Sequence, residues 1–516
     1  MPIEAEIKLE LPPERLAGVA KSPLIRKRQA APPRSADLVS VYYDTRKRKL
    51  CKRGITLRLR RHGRRQLQTV KADGDRILTQ QEWEHEVDGK QPDFKAARGT
   101  ALEPLLGKKL RRQLAPLFET KIKRTIVLLR WRDSDIELAL DRGQLRAGRK
   151  RAPISEVEIE LKDGEEADLI EVARAVAGVA PVRLGALSKA ERGYRLVEGE
   201  QGEAVTRAPI HLPDGIGTGD AFRAVALACL RQIAGNEPAV LGGDAEGVHQ
   251  MRIGLRRLRT ALAVFSDLLD GDPQAAKVKH ALKWITGELG PARDLDVYLR
   301  GSLKPLNGAH RRSVRALSRA TARRRKSAFE RAGKAVASPR YRRLILDVFD
   351  RLNTGAWAES DDKMLRLLNE RPAADFAADE LTRRRRKLVK KADKFAKLGP
   401  QQRHKLRVNA KKLRYATEFF AALIAGGKAD RRRRAFVKAL KRVQDALGEL
   451  NDIAVHGKLG PALAQPRSPP RSGKRLRGRA MAAGLVAGQV QSKVAPLMQA
   501  AETALQDFAA VSAFWR

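Results

Sequence analysis

The apolar residues of this chain change period once, and that change limits the architecture more than any other feature. From residue 3 to about residue 196 charged and apolar residues alternate, as in Glu4-Ala5-Glu6-Ile7-Lys8-Leu9 and Glu156-Val157-Glu158-Ile159-Glu160-Leu161. That is the spacing of strands whose two faces differ. Beyond residue 219 apolar residues recur every three or four positions, in segments 221–233, 248–269, 277–289, 311–335, 340–352, 375–398, 402–423, 431–447 and 476–508. Those segments read as amphipathic helices. Between 198 and 219 neither period holds, and Pro209, Pro213 and Gly215 mark a linker. A chain of 516 residues has room for two or three domains with their own cores. The expected class is α+β in two domains: residues 1–200 built on a sheet, 201–216 a linker, and 217–516 all-α.

Further strands are expected at 41–43, 58–60, 66–71, 82–87, 121–131 and 136–140, with turns at Asp73-Gly74 and Asp163-Gly164. About eight antiparallel strands are enough to close a barrel. A merely solvated face would mix polar types, yet individual strands here carry one sign. Residues 4–6, 82–86 and 156–160 are acidic, and 58–60 and 121–124 are basic. Across a closed barrel, acidic strands can hold divalent ions while basic strands hold phosphate oxygens. The expectation is an antiparallel eight-stranded β-barrel with a polar-lined tunnel.

The helical region contains a duplication. His249, Arg252, Arg256, Arg257 and Arg259 fall without a gap on His404, Arg407, Lys411, Lys412 and Arg414, and Phe265 falls on Phe420. Lys283 precedes Leu289-Gly290-Pro291-Ala292-Arg293-Asp294 by the interval at which Lys441 precedes Leu447-Gly448-Glu449-Leu450-Asn451-Asp452. At about 100° per residue, His249, Arg252, Arg256 and Arg259 share one stripe of a helix, beside an apolar stripe of Met251, Leu255, Leu258 and Leu262. Like charges on successive turns repel, so a row of them, present twice, calls for an external anion. The repeat implies helical units of about four helices each. The histidines have cations for neighbours rather than companion metal ligands. Asp294 and Asp452 are expected to cap helices or to orient those cations.

Lys plus Arg number 105 against 60 Asp plus Glu, a formal net charge of +45. Such an excess points to a polyanionic partner. Aromatic residues make up only 5% of the chain, which argues against nucleic-acid binding by base stacking. The two cysteines, Cys51 and Cys229, form no disulfide framework and no Cys-x-x-Cys metal site. No apolar run reaches the roughly 18 residues that read as a membrane span, and the first residues lack the apolar core of a signal peptide. A cytoplasmic protein is expected.

Glu4-x-Glu6-x-Lys8, Tyr43-Asp44-Thr45, Arg58-x-Arg60, Thr69-x-Lys71, Ile136-Glu137-Leu138-Ala139-Leu140-Asp141, Glu156-x-Glu158-x-Glu160 and Leu187-Ser188-Lys189 occur in this order over about 190 residues. The set resembles the CYTH family, the triphosphate tunnel metalloenzymes. The resemblance implies hydrolysis of a triphosphate, inorganic tripolyphosphate by preference, with Mg²⁺ or Mn²⁺ as cofactor. It implies metal or water-orienting roles for Glu4, Glu6, Glu137, Glu158 and Glu160, with Glu4, Glu6 and Lys8 as the catalytic group. Lys8, Arg58, Arg60, Lys71, Arg124 and Lys189 are implied as substrate ligands. Which of Glu82, Glu84 and Glu86 takes the family's acidic position stays open, and His62 and His85 have no role.

The duplicated helical region resembles the CHAD domain. It implies two four-helix bundles with pseudo-twofold symmetry and long-chain inorganic polyphosphate as ligand, with polyphosphate granules as a candidate location. His249, Arg252, Arg256, Arg259, Lys283, His404, Arg407, Lys411, Arg414 and Lys441 are the implied polyphosphate ligands. Lys411 and Lys412 depart from the first copy's arginine pair and lose the bidentate fork. Two other readings stand beside the enzyme: a non-catalytic polyphosphate-binding protein, and a thiamine triphosphatase. Neither a membrane nor nucleic acid is expected as partner, and the oligomeric state stays open.

Overall fold

The computed structural model describes residues 6–63, 65–73, 80–89, 91–200, 202–207, 210–303, 311–355, 357–358, 360–424, 426–465 and 473–515. Glu4, expected at the catalytic centre, lies outside them. The chain divides into two compact units. One comprises Met1–His211, Leu230–Ala239 and Ala337–Glu359, and the other Leu212–Cys229, Val240–Val336 and Ser360–Arg516.

The first unit is built on one antiparallel sheet of nine strands: β1 (Glu6–Glu10), β2 (Arg34–Asp44), β3 (Ile55–His62), β4 (Arg65–Asp73), β5 (Gln80–Glu86), β6 (Ala115–Trp131), β7 (Ser134–Ala147), β8 (Lys150–Asp163) and β9 (Arg183–Leu184). Their order is β5-β4-β3-β2-β6-β7-β8-β1-β9. Eight strands fall where the alternation places them. The closed eight-stranded barrel is corrected to an open sheet, because the second edge of β1 is taken by β9 through Leu9↔Leu184 and Glu10↔Arg183. Among the described residues β5 and β9 are therefore edges.

Helices α1 (Pro13–Lys21), α2 (Pro23–Arg26), α3 (Lys108–Gln113), α4 (Glu166–Val179) and α5 (Lys189–Glu198) accompany the sheet. The apolar face of β1, β6, β7 and β8, including Leu9, Val127, Leu138, Val157 and Ile159, is buried against Leu16 and Val19 of α1 and Leu169, Val172 and Val176 of α4. Alternation supplies that face, since successive strand residues point to opposite sides, and its removal from water is the main stabilising term. A second core joins Leu57, Leu59 and Val70 to Leu102, Leu106 and Leu110.

Helices α6 (Thr218–Gly235), α7 (Glu237–Leu241), α8 (Ala245–Val264), α9 (Pro273–Val297), α10 (Arg311–Ala337), α11 (Pro339–Thr354), α12 (Lys363–Glu370), α13 (Ala373–Ala392), α14 (Pro400–Phe419), α15 (Gly427–Ala464), α16 (Gly473–Gln491) and α17 (Val494–Ala510) follow. Of these, α11 belongs to the first unit, where Leu346 joins the main core and Arg174 of α4 binds Asp347 at 2.7 Å and Asp350 at 2.9 Å. The helix expected over 476–508 is two helices, because Pro496 lacks the N–H that a continuous helix needs from it.

In the second unit, equivalent positions of the duplication meet. Phe265 and Phe420 lie 5.7 Å apart edge to face, and Tyr298 and His456 lie 5.3 Å apart. Among the described residues no helix is long and apolar enough to cross a membrane.

Candidate functional site

Partners across an antiparallel ladder point to the same side of the sheet, so register alone assembles one charged face. Glu6 pairs with Glu160, which pairs on its other side with Glu137, and Lys8 pairs with Glu158. Asp141 pairs with both Glu156 and Arg124. Arg58 pairs with Thr69, and Lys71 and Thr69 pair with Glu82 and Glu84. Lys71 acts on the Glu6 carboxyl although β4 and β1 are six places apart in the strand order. A flat sheet would separate them by roughly 29 Å, while charge influence fades over about 8 Å at physiological salt. The sheet therefore curls, bringing its charged face around on itself.

That face is not polar throughout. Toward one end it carries Tyr42, Phe118, Ile122, Leu145 and Ile154, which pack with Tyr194 and Leu196 of α5. Helix α5 starts at a capping box, where Ser188 accepts from the Glu191 N–H and Glu191 accepts from the Ser188 N–H. Gly193 lets the helix settle onto the sheet, since a Cβ there would stand 2.1 Å from the Phe118 ring. This seating places Lys189 and Arg192 beside the charged strands.

Arg124, Lys189 and Lys8 meet three carboxylates there. Arg124 donates to both Asp141 oxygens at 2.7 Å and also to Glu158. Lys189 reaches Asp141 at 2.7 Å, Glu158 at 2.7 Å, and Glu156. Lys8 lies 3.0 Å from Glu158, and Arg192 donates to Glu156 at 3.0 Å. Burial works against the charges of Lys8, Arg124 and Lys189, but the carboxylates outweigh it and raise all three pKa values. Burial would likewise raise Glu158, yet Lys189, Lys8 and Arg124 hold it well below the usual carboxylate range.

The remaining expected cations stand nearby. Arg58 lies 3.2 Å and Lys71 2.6 Å from Glu82, and Glu84 accepts from Thr69 at 3.0 Å. Register puts Glu82, Glu84 and Glu86 on the charged face together. Among the described residues Arg60 has one side-chain hydrogen bond, to Ser40 at 3.4 Å, and burial with Arg58 beside it pushes its pKa down to about 10. It is a cation short of anions.

Two carboxylate groups can be weighed as divalent-ion ligands. Asp141, Glu156 and Glu158 have ligand atoms within 4.8 Å of one another, but cations already hold them. Glu6, Glu160 and Glu137 form a row of like charges on three neighbouring strands, mutually destabilising where they stand opposite one another and offset in part by Lys162, 2.5 Å from Glu160. Glu6 is 42% exposed at its side chain and 3.7 Å from Lys8. Its pKa is raised, burial prevailing over the neighbouring ammonium groups. Oxygen donors of this kind suit Mg²⁺ or Mn²⁺. Asp141, Glu156 and Arg192 carried no role in the sequence reading; the parity that joins Glu137 to Asp141 and Glu158 to Glu156 marks the first two.

In the second unit α8 packs on α14, and the two basic stripes converge. Arg252 lies 4.0 Å from Asp294 of α9, and Arg407 lies 4.0 Å from Asp452 of α15. Both aspartates sit inside helices and orient cations rather than cap. Burial, then Arg256 and Arg407, push the Lys411 ammonium down to about 7. Burial and neighbouring cations also lower Arg252, Arg407 and His249. Besides the pair Lys411 and Lys412, the copies differ where Arg293 acts on His249, for its counterpart Asn451 lies 2.7 Å from His404 Nδ1. Arg259, Lys283 and Lys441 are exposed, and Arg414 turns toward Glu418 at 3.5 Å.

Residues 2–194 match the CYTH domain and residues 224–459 the CHAD domain. An inorganic triphosphatase of Haemophilus influenzae is 30% identical over 198 residues, 37% of this chain and 54% of that protein, so the chain spans about half the length of the curated relative it matches. The CHAD domain of the plant Ricinus communis is similar in structure with a TM-score of 0.49 and 28% identity, over 58% of this chain and 96% of that one. A candidate adenylyl cyclase from Hippeastrum, described as having a dominant triphosphatase activity, is 16% identical with a TM-score of 0.28, over 37% of this chain and 95% of that one. The chain thus joins a member of the CYTH family, residues 2–194, to a member of the CHAD family, residues 224–459.

Proposed function

We propose that the first unit is a metal-dependent inorganic triphosphatase, cleaving tripolyphosphate to pyrophosphate and phosphate, and that the helical region binds long-chain inorganic polyphosphate. The observation that carries the enzyme is the face on which the carboxylate row Glu6, Glu160 and Glu137 stands beside Lys8, Arg58, Arg60, Lys71 and Arg124. An anion-binding surface has no use for that row. In this reading the curled sheet forms the tunnel, the functional division is 1–200, 201–216 and 217–516, and the helical region consists of duplicated four-helix bundles. The protein acts in the cytoplasm.

Glu4, Glu6, Glu137 and Glu160, with Glu158 at their border, would hold Mg²⁺ or Mn²⁺. When bound, such an ion neutralises phosphate charge and lowers the pKa of water. The protein's own groups do the rest. Arg60, the cation short of anions, and Arg58 and Lys71, which share one carboxylate, grip phosphate oxygens. Arg124 and Lys8, held charged by their carboxylates, face the charge that grows as the phosphoanhydride breaks. Glu6 orients the attacking water. No covalent nucleophile is required.

In the helical region Arg252, Arg256, Arg407 and Lys411 crowd together with two aspartates for four cations, an imbalance that a polyphosphate would relieve. His249, Arg259, Lys283, His404, Arg414 and Lys441 extend the basic surface on either side. The deciding experiment measures phosphate release from tripolyphosphate, thiamine triphosphate, ATP and long-chain polyphosphate, with and without Mg²⁺ or Mn²⁺. Metal-dependent release fastest from tripolyphosphate is expected. Release that persists in excess EDTA, or none from any substrate, would overturn the enzymatic reading.

A further inference from the structure

Strand β9 is two residues long, and the residue that follows it lies against Lys8. Leu184 pairs with Leu9 and Arg183 with Glu10. Gly185 continues the pairing, its N–H donating to the Lys8 carbonyl at 2.7 Å. Partners in such a ladder point to one side with Cβ atoms roughly 4.5–5.5 Å apart. Here a Cβ on Gly185 would stand 2.5 Å from Lys8 Cγ, 2.9 Å from Cδ and 3.0 Å from Cβ. The Lys8 stem occupies the space in which a side chain at 185 would lie. Gly185 is not among the glycines of positive φ, so what it supplies is room and not backbone freedom.

That room sets the course of Lys8. A lysine stem is flexible, and this one carries its ammonium to 3.0 Å from Glu158 and 3.7 Å from Glu6, where the carboxylate row borders the cations. A methyl group at 185 would meet the stem near its root, and a turn about the first side-chain bonds is magnified at Nζ. The backbone of β9 is pinned on both sides. Before Gly185, Arg183 is tied to Glu10 at 3.2 Å, and after it the carbonyl of Ala186 accepts from Arg231 at 2.9 Å. The lysine therefore yields before the strand does.

We propose that Gly185 is a positioning residue for Lys8: by placing no side chain opposite it, β9 lets the lysine stem lie across the strand and sets its ammonium beside Glu158. What this does for turnover rests on the triphosphatase reading; the hold on Lys8 does not. Gly185→Ala turns Lys8 away, whereas Lys8→Ala removes Cγ and Cδ, the two atoms that the new methyl group would strike hardest. Substitutions that act through one contact are coupled, and those that do not are additive.

The test measures melting temperature and tripolyphosphate turnover of the full chain for the unsubstituted protein, Gly185→Ala, Lys8→Ala and the double variant. Gly185→Ala should lower kcat at least about tenfold with KM within about threefold, since a displacement of about 1 Å can cost on the order of 100-fold in rate. In the Lys8→Ala background the same change should alter turnover by less than about twofold. It should lower the melting temperature of the unsubstituted protein by several degrees, and that of Lys8→Ala by less than half as much. Where Gly185→Ala alone does not fold, a folded double variant is the expected rescue, and an unfolded one counts against the proposal. Equal losses in both backgrounds would make Gly185 a packing residue that does not act through Lys8. Turnover of Gly185→Ala at the original rate would mean that β9 recedes instead, and would equally overturn the assignment. If the unsubstituted protein releases no phosphate from tripolyphosphate, the triphosphatase reading fails while the melting temperatures still decide whether Gly185 governs Lys8.

Discussion

The curled sheet and the paired helices both gather cations, and they shift the pKa values of those cations in opposite directions. On the sheet each of Lys8, Arg124 and Lys189 is matched by carboxylates, and their pKa values are raised. On the helices Arg252, Arg407 and Lys411 crowd against one another, and theirs are lowered. Preorganised charges of fixed orientation stabilise a transition state without rearranging. Crowded charges are relieved by whatever anion arrives, which suits a long polymer whose phosphates are all alike. The difference separates a site built for chemistry from a surface built for capture.

The largest expected effect breaks the sheet's side of this contrast. Glu6→Gln keeps the size of the side chain and removes one charge from the carboxylate row. Tripolyphosphate turnover should fall by at least about 100-fold, the upper end of what losing even an outer-shell partner of a metal costs. Circular dichroism should be unchanged. Turnover at the parental rate would remove the row from the reaction and leave the sheet as a second anion-binding surface.

Much of this face was legible because a period of two survives in the folded state. Eight strands and the sidedness of Glu6, Lys8, Arg58 and Glu158 follow from alternation, and register agrees that Glu82, Glu84 and Glu86 share that side without choosing among them. Two-residue β9 has no period to read, so the open edge was not legible. Nor was the three-way grip on Lys189, which depends on how α5 seats against Phe118. In the helical region the duplication announced Arg252 and Arg407 as equivalents, and their matching 4.0 Å contacts to Asp294 and Asp452 agree. Convergence of Arg256 on Lys411 is a matter of helix packing that no single helix encodes.

A second expected effect, of intermediate size, separates the two regions directly. Reversing Arg252 and Arg256 to Glu, or Arg407 and Lys411 to Glu, should weaken long-chain polyphosphate binding and flatten its dependence on salt by about two units of log–log slope, one for each cation lost from counterion release. Tripolyphosphate hydrolysis should continue in both. Unchanged affinity and slope would reduce the stripes to solvated faces. Lost hydrolysis in a folded variant would instead give the helices a part in the active site, and the contrast between chemistry and capture would collapse.

The smallest effect sharpens the contrast through pH. Lys411 of α14 faces Arg256 of α8, Arg407 and Arg414 of its own helix, and Asp452 of α15, and with burial as the leading cause it titrates at about 7. Its folded pKa lies below that of the unfolded chain, so its charge opposes folding fully below about 7, and the penalty shrinks as pH rises toward the ordinary lysine range. Lys411→Met should therefore raise the melting temperature more at pH 6 than at pH 9. A bound polyanion reverses the balance by favouring the ammonium, so binding takes up a proton near neutrality. Affinity for long-chain polyphosphate should decline a few-fold as pH rises from 6 to 9, and Lys411→Arg should flatten that decline, because an arginine keeps its charge throughout. The sheet's cations, held charged by carboxylates, predict no such decline in tripolyphosphate binding over the same range. Calorimetric titration in two buffers of different ionisation enthalpy measures the proton directly. Equal proton uptake by the original chain and by Lys411→Arg would mean that the crowding at Lys411 is not what couples binding to pH.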